Sequence, residues 1–320
     1  MARATIKDVA AAAGVSISAV SYILNGSTKK KYSEATVKAV RRAAEKLNYS
    51  PNNLARGMRS QKANAIGIVN FWENSGAVFA PTLRAVAEAA ANLSVAAVIC
   101  TGTEDLSYIE AYKNRTVDGF VIIAPCALQF NERAHIRALQ EAGAPFAIIN
   151  GSVRAENVFS VFYDYYAVSA FAVSHLLSLG RRRVVYVDEF SEEAARELRD
   201  RREGYVDTMR EAGLLPRTYD LEHLRLDDLE GVESIVTSRA ETARALMRRL
   251  LDEGIRVPAT FEILSGSGEE SGRESYLPLS CVEFSFAEAG EFAVRAAMGQ
   301  APCASLCPAP ELRQGKTIRS

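Results

Sequence analysis

The spacing of hydrophobic and polar positions changes after about residue 62. Before that point apolar residues recur at helical intervals, and beyond it short apolar runs alternate with amphipathic segments. The apolar runs predict strands at 65–71, 95–102, 119–125, 145–151, 158–164, 182–190 and 261–267. The amphipathic segments predict helices at 80–93, 134–143, 166–180, 197–213 and 239–254. Such alternation is typical of parallel sheets with helices on both faces, so this part of the chain is predicted to be α/β.

The first fifty residues carry the pattern of three short helices. Thr5 and Asp8 form a predicted capping box for the first helix. Gly14 can take the positive φ of a sharp turn, and Ser16 can cap a second helix. Ser33 is the predicted N-cap of a third helix at 34–47. Two short helices joined across a glycine turn indicate a helix-turn-helix; an ordinary helical hairpin serving another partner is the alternative.

Charge is distributed unevenly along the chain. Residues 1–62 contain 12 Lys and Arg against three acidic residues, whereas the remainder contains 26 against 36. A basic segment in front of an acidic one favours a polyanion-binding domain joined to a domain of another kind. The alternative is a solvated positive face that has no partner.

In a helix-turn-helix the second helix enters the DNA major groove, and hydroxyl and amide groups near its ends contact phosphates. Ser16, Ser21 and Asn25 are therefore predicted to contact phosphate or sugar, and Ile17, Ser18 and Tyr22 to face base edges. The other candidates for DNA contact are Thr5, Lys29, Ser33, Thr36 and Tyr49.

Composition favours a globular protein without catalytic or metal chemistry. The chain has 320 residues and 48% hydrophobic content, and its apolar runs are too short for a membrane span. Five cysteines lack the spacing of a zinc site or a disulfide framework, and the three histidines are scattered. We therefore expect a cytoplasmic protein with no cofactor and no metal, which is not an enzyme and has no membrane partner.

Four segments of the sequence resemble the lactose-repressor (LacI/GalR) family of bacterial transcription regulators. They are TIKDVAAAAGVSISAVSYILNG, YSPNNLARGMRSQKANAIGIV, VDGFVIIAP and HLLSLGRRRVVYV, in the family's order and spacing. The resemblance weakens after about residue 210. It implies an N-terminal all-α helix-turn-helix domain (1–50), a hinge helix (51–62) and a two-lobed, periplasmic-binding-protein-like effector domain of Rossmann type (63–320). The chain would cross between the lobes near Asp164 and near residues 281 and 304.

The hinge segment has too few apolar contacts to form a stable helix alone. The resemblance implies that hinge helices pair across a dimer, enter the minor groove and insert an apolar side chain between base pairs. Met58 is the matching wedge, with Ala55 and Arg56 beside it and Asn52 earlier in the segment. The alternative is an interdomain linker whose Met58 packs onto protein.

The effector half departs from the family's sugar-binding pattern. Asp164 and Arg201 match two family positions, but Arg239 and Ala240 stand where an Asn-Asp pair is expected, and Ser267 and Gly268 replace paired aspartates. Two arginines would make the cleft cationic and suit a carboxylate or phosphate, while Trp72 and Phe79 could stack on a ring. The alternatives are a cleft that no longer binds an effector and a sugar bound in an unusual way.

These features predict a dimeric regulator, most simply a repressor, that binds a double-stranded, pseudopalindromic operator. Nothing in the final residues resembles a heptad coil that would join dimers. Relatives often carry Arg at the position of Tyr22, so the base preference there should differ from theirs. The alternative outside this class is an architectural protein that bends DNA with little sequence preference.

Overall fold

The chain forms two compact units, Met1–Ala63 and Asn64–Ser320. The computed structural model describes residues 4–24, 32–49, 62–71, 78–125, 131–155, 157–189, 195–268, 277–301 and 304–319. Seven of the predicted contact residues lie outside these ranges, namely Asn25, Lys29, Asn52, Ala55, Arg56, Met58 and Trp72.

The described part of the first unit contains helices α1 (Ile6–Ala13), α2 (Ile17–Leu24) and α3 (Glu34–Lys46). Gly14 ends α1 in the left-handed region at φ 65°, which turns α2 by 101° relative to α1. The angle suits the helix-turn-helix predicted from the glycine turn. The three helices share a small core formed by Val9, Ala10, Val20, Ile23, Val40, Ala43 and Ala44.

The described residues of the second unit form two six-stranded sheets. The first sheet has the order β11-β5-β4-β3-β1-β2 and is parallel throughout. Its strands are β1 (Ala65–Asn70), β2 (Ala96–Cys100), β3 (Gly119–Ile123), β4 (Phe146–Ile149), β5 (Phe159–Val161) and β11 (Ser305–Leu306). The residues of β1, β3 and β4 are all buried, as expected of central parallel strands covered on both faces.

The second sheet has the order β12-β10-β9-β8-β6-β7, with only β12 antiparallel to its neighbour. Its strands are β6 (Val184–Asp188), β7 (Thr218–Asp220), β8 (Ser234–Thr237), β9 (Glu262–Ser265), β10 (Ser280–Phe284) and β12 (Pro310–Arg313).

Helices pack on both sheets of the second unit. They are α4 (Phe79–Asn92), α5 (Glu110–Lys113), α6 (Glu132–Glu141), α7 (Tyr165–Ser178), α8 (Ala195–Glu211), α9 (Ala240–Asp252) and α10 (Phe286–Ala297). The predicted α/β fold with a helical N-terminal part is confirmed. Among the described residues no single helix is long and apolar enough to cross a membrane; α1 and α2 meet that criterion only when counted together across their bend.

The chain passes between the two sheets, here called the first and second lobes, at residues 162–164, 285 and 307–309. These positions are within about four residues of the predicted crossings. One apolar core includes residues of both sheets, among them Ile66 and Val121 of the first and Val236 and Leu264 of the second. The lobes of the second unit are therefore joined by buried apolar contacts as well as by the chain.

All seven predicted strands and all five predicted helices are present, with ends shifted by a few residues. The sequence prediction missed five strands (β7, β8, β10, β11 and β12) and helices α5 and α10. Several of the missed strands mix polar residues with few apolar ones, such as Thr218 and Asp220 in β7 or Ser234 and Thr237 in β8, so they lack a clear apolar run.

The buried carboxylate of Glu262 binds Arg319, near the end of the chain, to the second lobe. Glu262 of β9 is fully buried and accepts hydrogen bonds from Arg181 (Nε, 2.7 Å), Arg319 (Nε, 2.7 Å) and the Ser234 hydroxyl (2.9 Å). Burial alone would raise the pKa of Glu262, but these donors outweigh it and hold the pKa at about 2. The carboxylate therefore stays ionised in the folded protein well below the pH at which an unfolded Glu takes up a proton.

We expect Glu262→Gln to lower the free energy of unfolding by about 2–3 kcal/mol at pH 7. Because the folded-state pKa is depressed, this contribution is complete above the unfolded value of about 4.3 and is lost as the pH falls toward 2. Urea unfolding from pH 7 to pH 3 should show the gap between wild type and variant closing. Glu230→Gln, at an exposed position, is the control; a gap independent of pH would contradict the assignment.

Candidate DNA-binding helices and effector cleft

The N-terminal end of α2 presents polar and apolar side chains to solvent. The Ser16 hydroxyl accepts a hydrogen bond from the Ala19 amide at 3.1 Å, so the predicted cap is confirmed. Ser16, Ile17 and Ser18 are all exposed, and Ile17 is 40% exposed although it is a large apolar residue. Exposed side chains at the start of a second helix are those that can reach base edges in a major groove.

The other described candidates in this unit lie at helix ends or partly in its core. Thr5 donates to Asp8 Oδ2 through its amide and its hydroxyl, each at 2.8 Å, as the capping box predicts. Ser33 caps α3 by accepting from the Thr36 amide at 3.2 Å. Ser21, Tyr22 and Tyr49 are half-buried, and Tyr49 packs against the helical core. Their contact with DNA stays a prediction.

In the second unit, three predicted effector residues belong to one connected group at the carboxyl ends of β8 and β9. Arg201 of α8 is fully buried, donates through Nη1 to the Gly266 carbonyl at 2.6 Å, and lies 4.8 Å above the Tyr165 ring. Its Nη2 atom is buried without a hydrogen-bond partner among the described residues. The carboxyl ends of parallel strands are where ligands bind in open α/β folds.

Arg239 follows β8 and meets a carboxylate that the sequence analysis missed. Glu197 is 2% exposed and accepts from Arg201 Nε at 3.1 Å and from Arg239 Nη2 at 3.0 Å. Burial opposes ionisation of Glu197, but the two guanidinium groups outweigh it and hold the pKa of this carboxyl below its usual value. Glu197 thus cancels one of the two charges on which the expectation of a cationic cleft rested.

Ser267 performs a structural task at the same edge. Its hydroxyl accepts from the Ala240 amide at 3.0 Å, which caps α9 where the preceding Arg239 side chain does not. Ser267 is buried, and its carbonyl accepts from the Ser265 hydroxyl at 2.8 Å. The hydroxyl therefore already has a backbone partner.

The neighbouring Gly268 is a glycine for a steric reason. A Cβ at this position would overlap the carboxylate of Glu283, which comes from β10 and lies 3.1 Å from Arg313. Burial raises the pKa of Glu283, and the Arg313 charge partly opposes this. The carboxylate that the sequence lacks at 267 and 268 is thus present nearby, on a side chain from the adjacent strand.

Asp164 and Phe79 have other contacts. The exposed Asp164 carboxylate accepts from the Ala167 amide at 2.9 Å and caps α7. Phe79, the first residue of α4, is partly buried against the core shared by the two lobes. Their contact with an effector stays a prediction.

Aromatic residues that the sequence analysis did not single out fill the boundary between the lobes. The Tyr163 ring stacks on Phe284 at 4.5 Å, and its hydroxyl pairs with that of Thr82, on α4, at 2.9 Å. The Tyr165 hydroxyl donates to Asn150 Oδ1 at 2.9 Å. Each tyrosine thus links the second lobe to the first through a buried ring and a hydrogen bond.

The helix-turn-helix and the two-lobed α/β unit define the class of DNA-binding transcription regulators that carry a periplasmic-binding-protein-like domain. A family profile described as bacterial regulatory proteins, lacI family, matches residues 5–52, and one described as a periplasmic binding protein-like domain matches residues 173–315. Residues 5–52 therefore form a DNA-binding domain of the lacI type, and residues 173–315 belong to a periplasmic binding protein-like domain.

Curated relatives are named as regulators. The chain is 26% identical to catabolite control protein A of Priestia megaterium, over 81% of each chain. It is 26% identical to the ribose operon repressor of Halalkalibacterium halodurans, over 91% of this chain and 88% of the relative. It is 30% identical to GalR of Escherichia coli, over 66% of this chain and 60% of the relative.

Solved structures share the fold. The lac repressor dimer bound to operator and an anti-inducer is 20% identical with a TM-score of 0.64, and the match covers 99% of each chain. The cellobiose complex of the regulator CelR is 22% identical with a TM-score of 0.60, and the match covers 99% of this chain and all of that one.

Proposed function

We propose that this protein is a sequence-specific transcriptional repressor that binds a pseudopalindromic operator as a homodimer. The observation that carries the proposal is the exposed start of α2, where Ser16, Ile17 and Ser18 follow a glycine turn in a basic segment. Relatives named as repressors support the direction of regulation. Repression would follow from occupancy, because a protein bound at an operator blocks polymerase.

The domain assignment belongs to the same proposal. Residues 1–50 bind the major groove, residues 51–62 form hinge helices with Met58 as the wedge, and residues 63–320 hold the effector cleft and the dimer contacts. The twofold symmetry of a dimer is what gives an operator two related half-sites.

An apolar edge strand supports the dimer. β2 lies at one edge of the first sheet, and its Ala96, Ala97 and Ile99 are exposed, Ile99 by 53%. An exposed apolar edge strand invites pairing with another chain unless something covers it. A second copy of this chain would cover the strand.

We expect Ile99→Asp to give a monomer that binds operator at least about tenfold more weakly, because one half-site no longer increases the effective concentration of the protein at the other. Sedimentation velocity and gel shift on the same protein measure both effects. Leu215→Asp, at a position 82% exposed in the loop after α8, is the matched control. A dimeric Ile99→Asp variant would remove β2 from the interface.

The first candidate for regulation, predicted from the sequence, is an anionic effector held by Arg201 and Arg239, with Asp164, Ser267, Phe79 and Trp72 as the other predicted contacts. One observation favours a second candidate, regulation without an effector, because Glu197 already pairs with both arginines. Isothermal titration with sugars, organic acids and phosphorylated acids separates the two. Heat from acids alone supports the anionic effector, and heat from neutral sugars alone contradicts it.

The architectural alternative makes a different prediction about selectivity. A protein that only bends DNA would bind many sequences alike, with a steep salt dependence. A repressor should prefer its operator over random duplexes by about a thousandfold or more at physiological salt.

A further inference from the structure

Glu197 is bound by Arg201 and Arg239 in the way that a protein binds a carboxylate ligand. The arrangement differs from that of an ion pair on the surface. Each carboxylate oxygen has an arginine donor, Oε1 from Arg201 at 3.1 Å and Oε2 from Arg239 at 3.0 Å. The carboxylate is 2% exposed, and the Arg201 side chain is fully buried. Two guanidinium groups on one carboxylate are the arrangement by which proteins bind carboxylate ligands.

The two arginines come from different elements, and Arg201 has supports other than Glu197. Arg201 is held on α8 by the Gly266 carbonyl at 2.6 Å and by the Tyr165 ring at 4.8 Å. Arg239 precedes α9 at the carboxyl end of β8. Both guanidinium groups therefore reach the cleft edge of the second sheet independently of each other.

We propose that Arg201 and Arg239 form a carboxylate-binding cradle and that Glu197 fills it from within, so that the cleft contains its own anionic ligand. A tethered carboxylate has an effective concentration that a free metabolite does not reach. The wild-type cleft should therefore ignore small carboxylates. The regulatory consequence, operator binding without an external anion, rests on the proposed function, whereas the cradle itself does not.

Chemical rescue tests the cradle directly. Glu197→Ala removes the carboxylate and leaves room for a small anion. The two guanidinium groups then repel each other, because the negative charge between them is gone. We expect the melting temperature of the full-length variant to fall by about 5–10 °C in chloride, and to recover by about 2–6 °C as acetate replaces chloride at constant ionic strength. Wild type should show no recovery, because its cradle is occupied.

Two controls make the result specific. Glu203→Ala removes an exposed carboxylate from the same helix and should respond to acetate as wild type does. The double variant Glu197→Ala with Arg239→Ala should lose the acetate response, because half of the cradle is absent. Should the single variant fail to fold in chloride, its refolded yield in acetate against chloride replaces the melting temperature as the readout, with the same expected difference.

An acetate response that is equal in wild type and variant, or absent in both, would overturn the proposal. This experiment contains no DNA, so its failure leaves the proposed function untouched. Operator affinity is then compared for the variant in chloride and in acetate. A shift of at least about fivefold that acetate reverses links the cradle to DNA binding, and an unchanged affinity overturns the regulatory consequence alone.

Discussion

Replacing Arg201 by Met should lower the free energy of unfolding by about 3–5 kcal/mol. The substitution keeps much of the side-chain volume but leaves Glu197 buried with one cationic partner in place of two. It also removes the donor to the Gly266 carbonyl and the charge above the Tyr165 ring. Breaking a buried pair costs far more than breaking an exposed one, because the remaining charge cannot be solvated.

Urea unfolding of the full chain at pH 7 measures the effect. Arg210→Met on the same helix is the matched control, since Arg210 is exposed and its pairing with Asp207 is long, at 3.7 Å. That variant should lose less than about 1 kcal/mol. Equal losses in the two variants would mean that the buried group contributes no more than a surface pair does.

Replacing Tyr22 by Arg should change the preferred base pair at one position of each half-site. Arginine donates two parallel hydrogen bonds to guanine, which are worth about 1–3 kcal/mol per base pair, whereas tyrosine cannot make both. The expected change in relative preference is about 5- to 150-fold at that position, with the rest of the site unchanged. Tyr22 lies on the described part of α2 and is partly exposed.

Binding of single-base variants of the selected operator measures this preference. Ala39→Arg adds the same charge at an exposed position of α3 and should strengthen binding to all sequences alike. If Tyr22→Arg has only that uniform effect, residue 22 does not face a base.

The strands that periodicity predicts are those whose apolar residues form a run that is plain in the sequence. β1, β3 and β4 are buried along their whole length, and their apolar runs are plain in the sequence. β7 and β8 have three and four residues, and their pairing to β6 depends on the rest of the sheet. Whether these strands form depends on contacts with residues distant in the sequence, which a short segment does not show.

In the candidate cleft, too, contacts within one helix could be predicted from the sequence, whereas contacts between separate elements could not. Glu197 and Arg201 stand four residues apart on one helix, so their pairing was readable from the sequence. The addition of Arg239 to the same carboxylate was not, because it follows a strand of another part of the lobe. Likewise, Gly268 indicated a lost carboxylate, while the structure shows that Glu283 places one from β10 against it.

Selection of bound sequences from a random duplex pool, with the full-length protein at physiological salt, tests the central claim most directly. We expect one pseudopalindromic site, with two half-sites related by the symmetry of a dimer. Binding that persists without any enriched motif would contradict a sequence-specific repressor and would favour the architectural alternative.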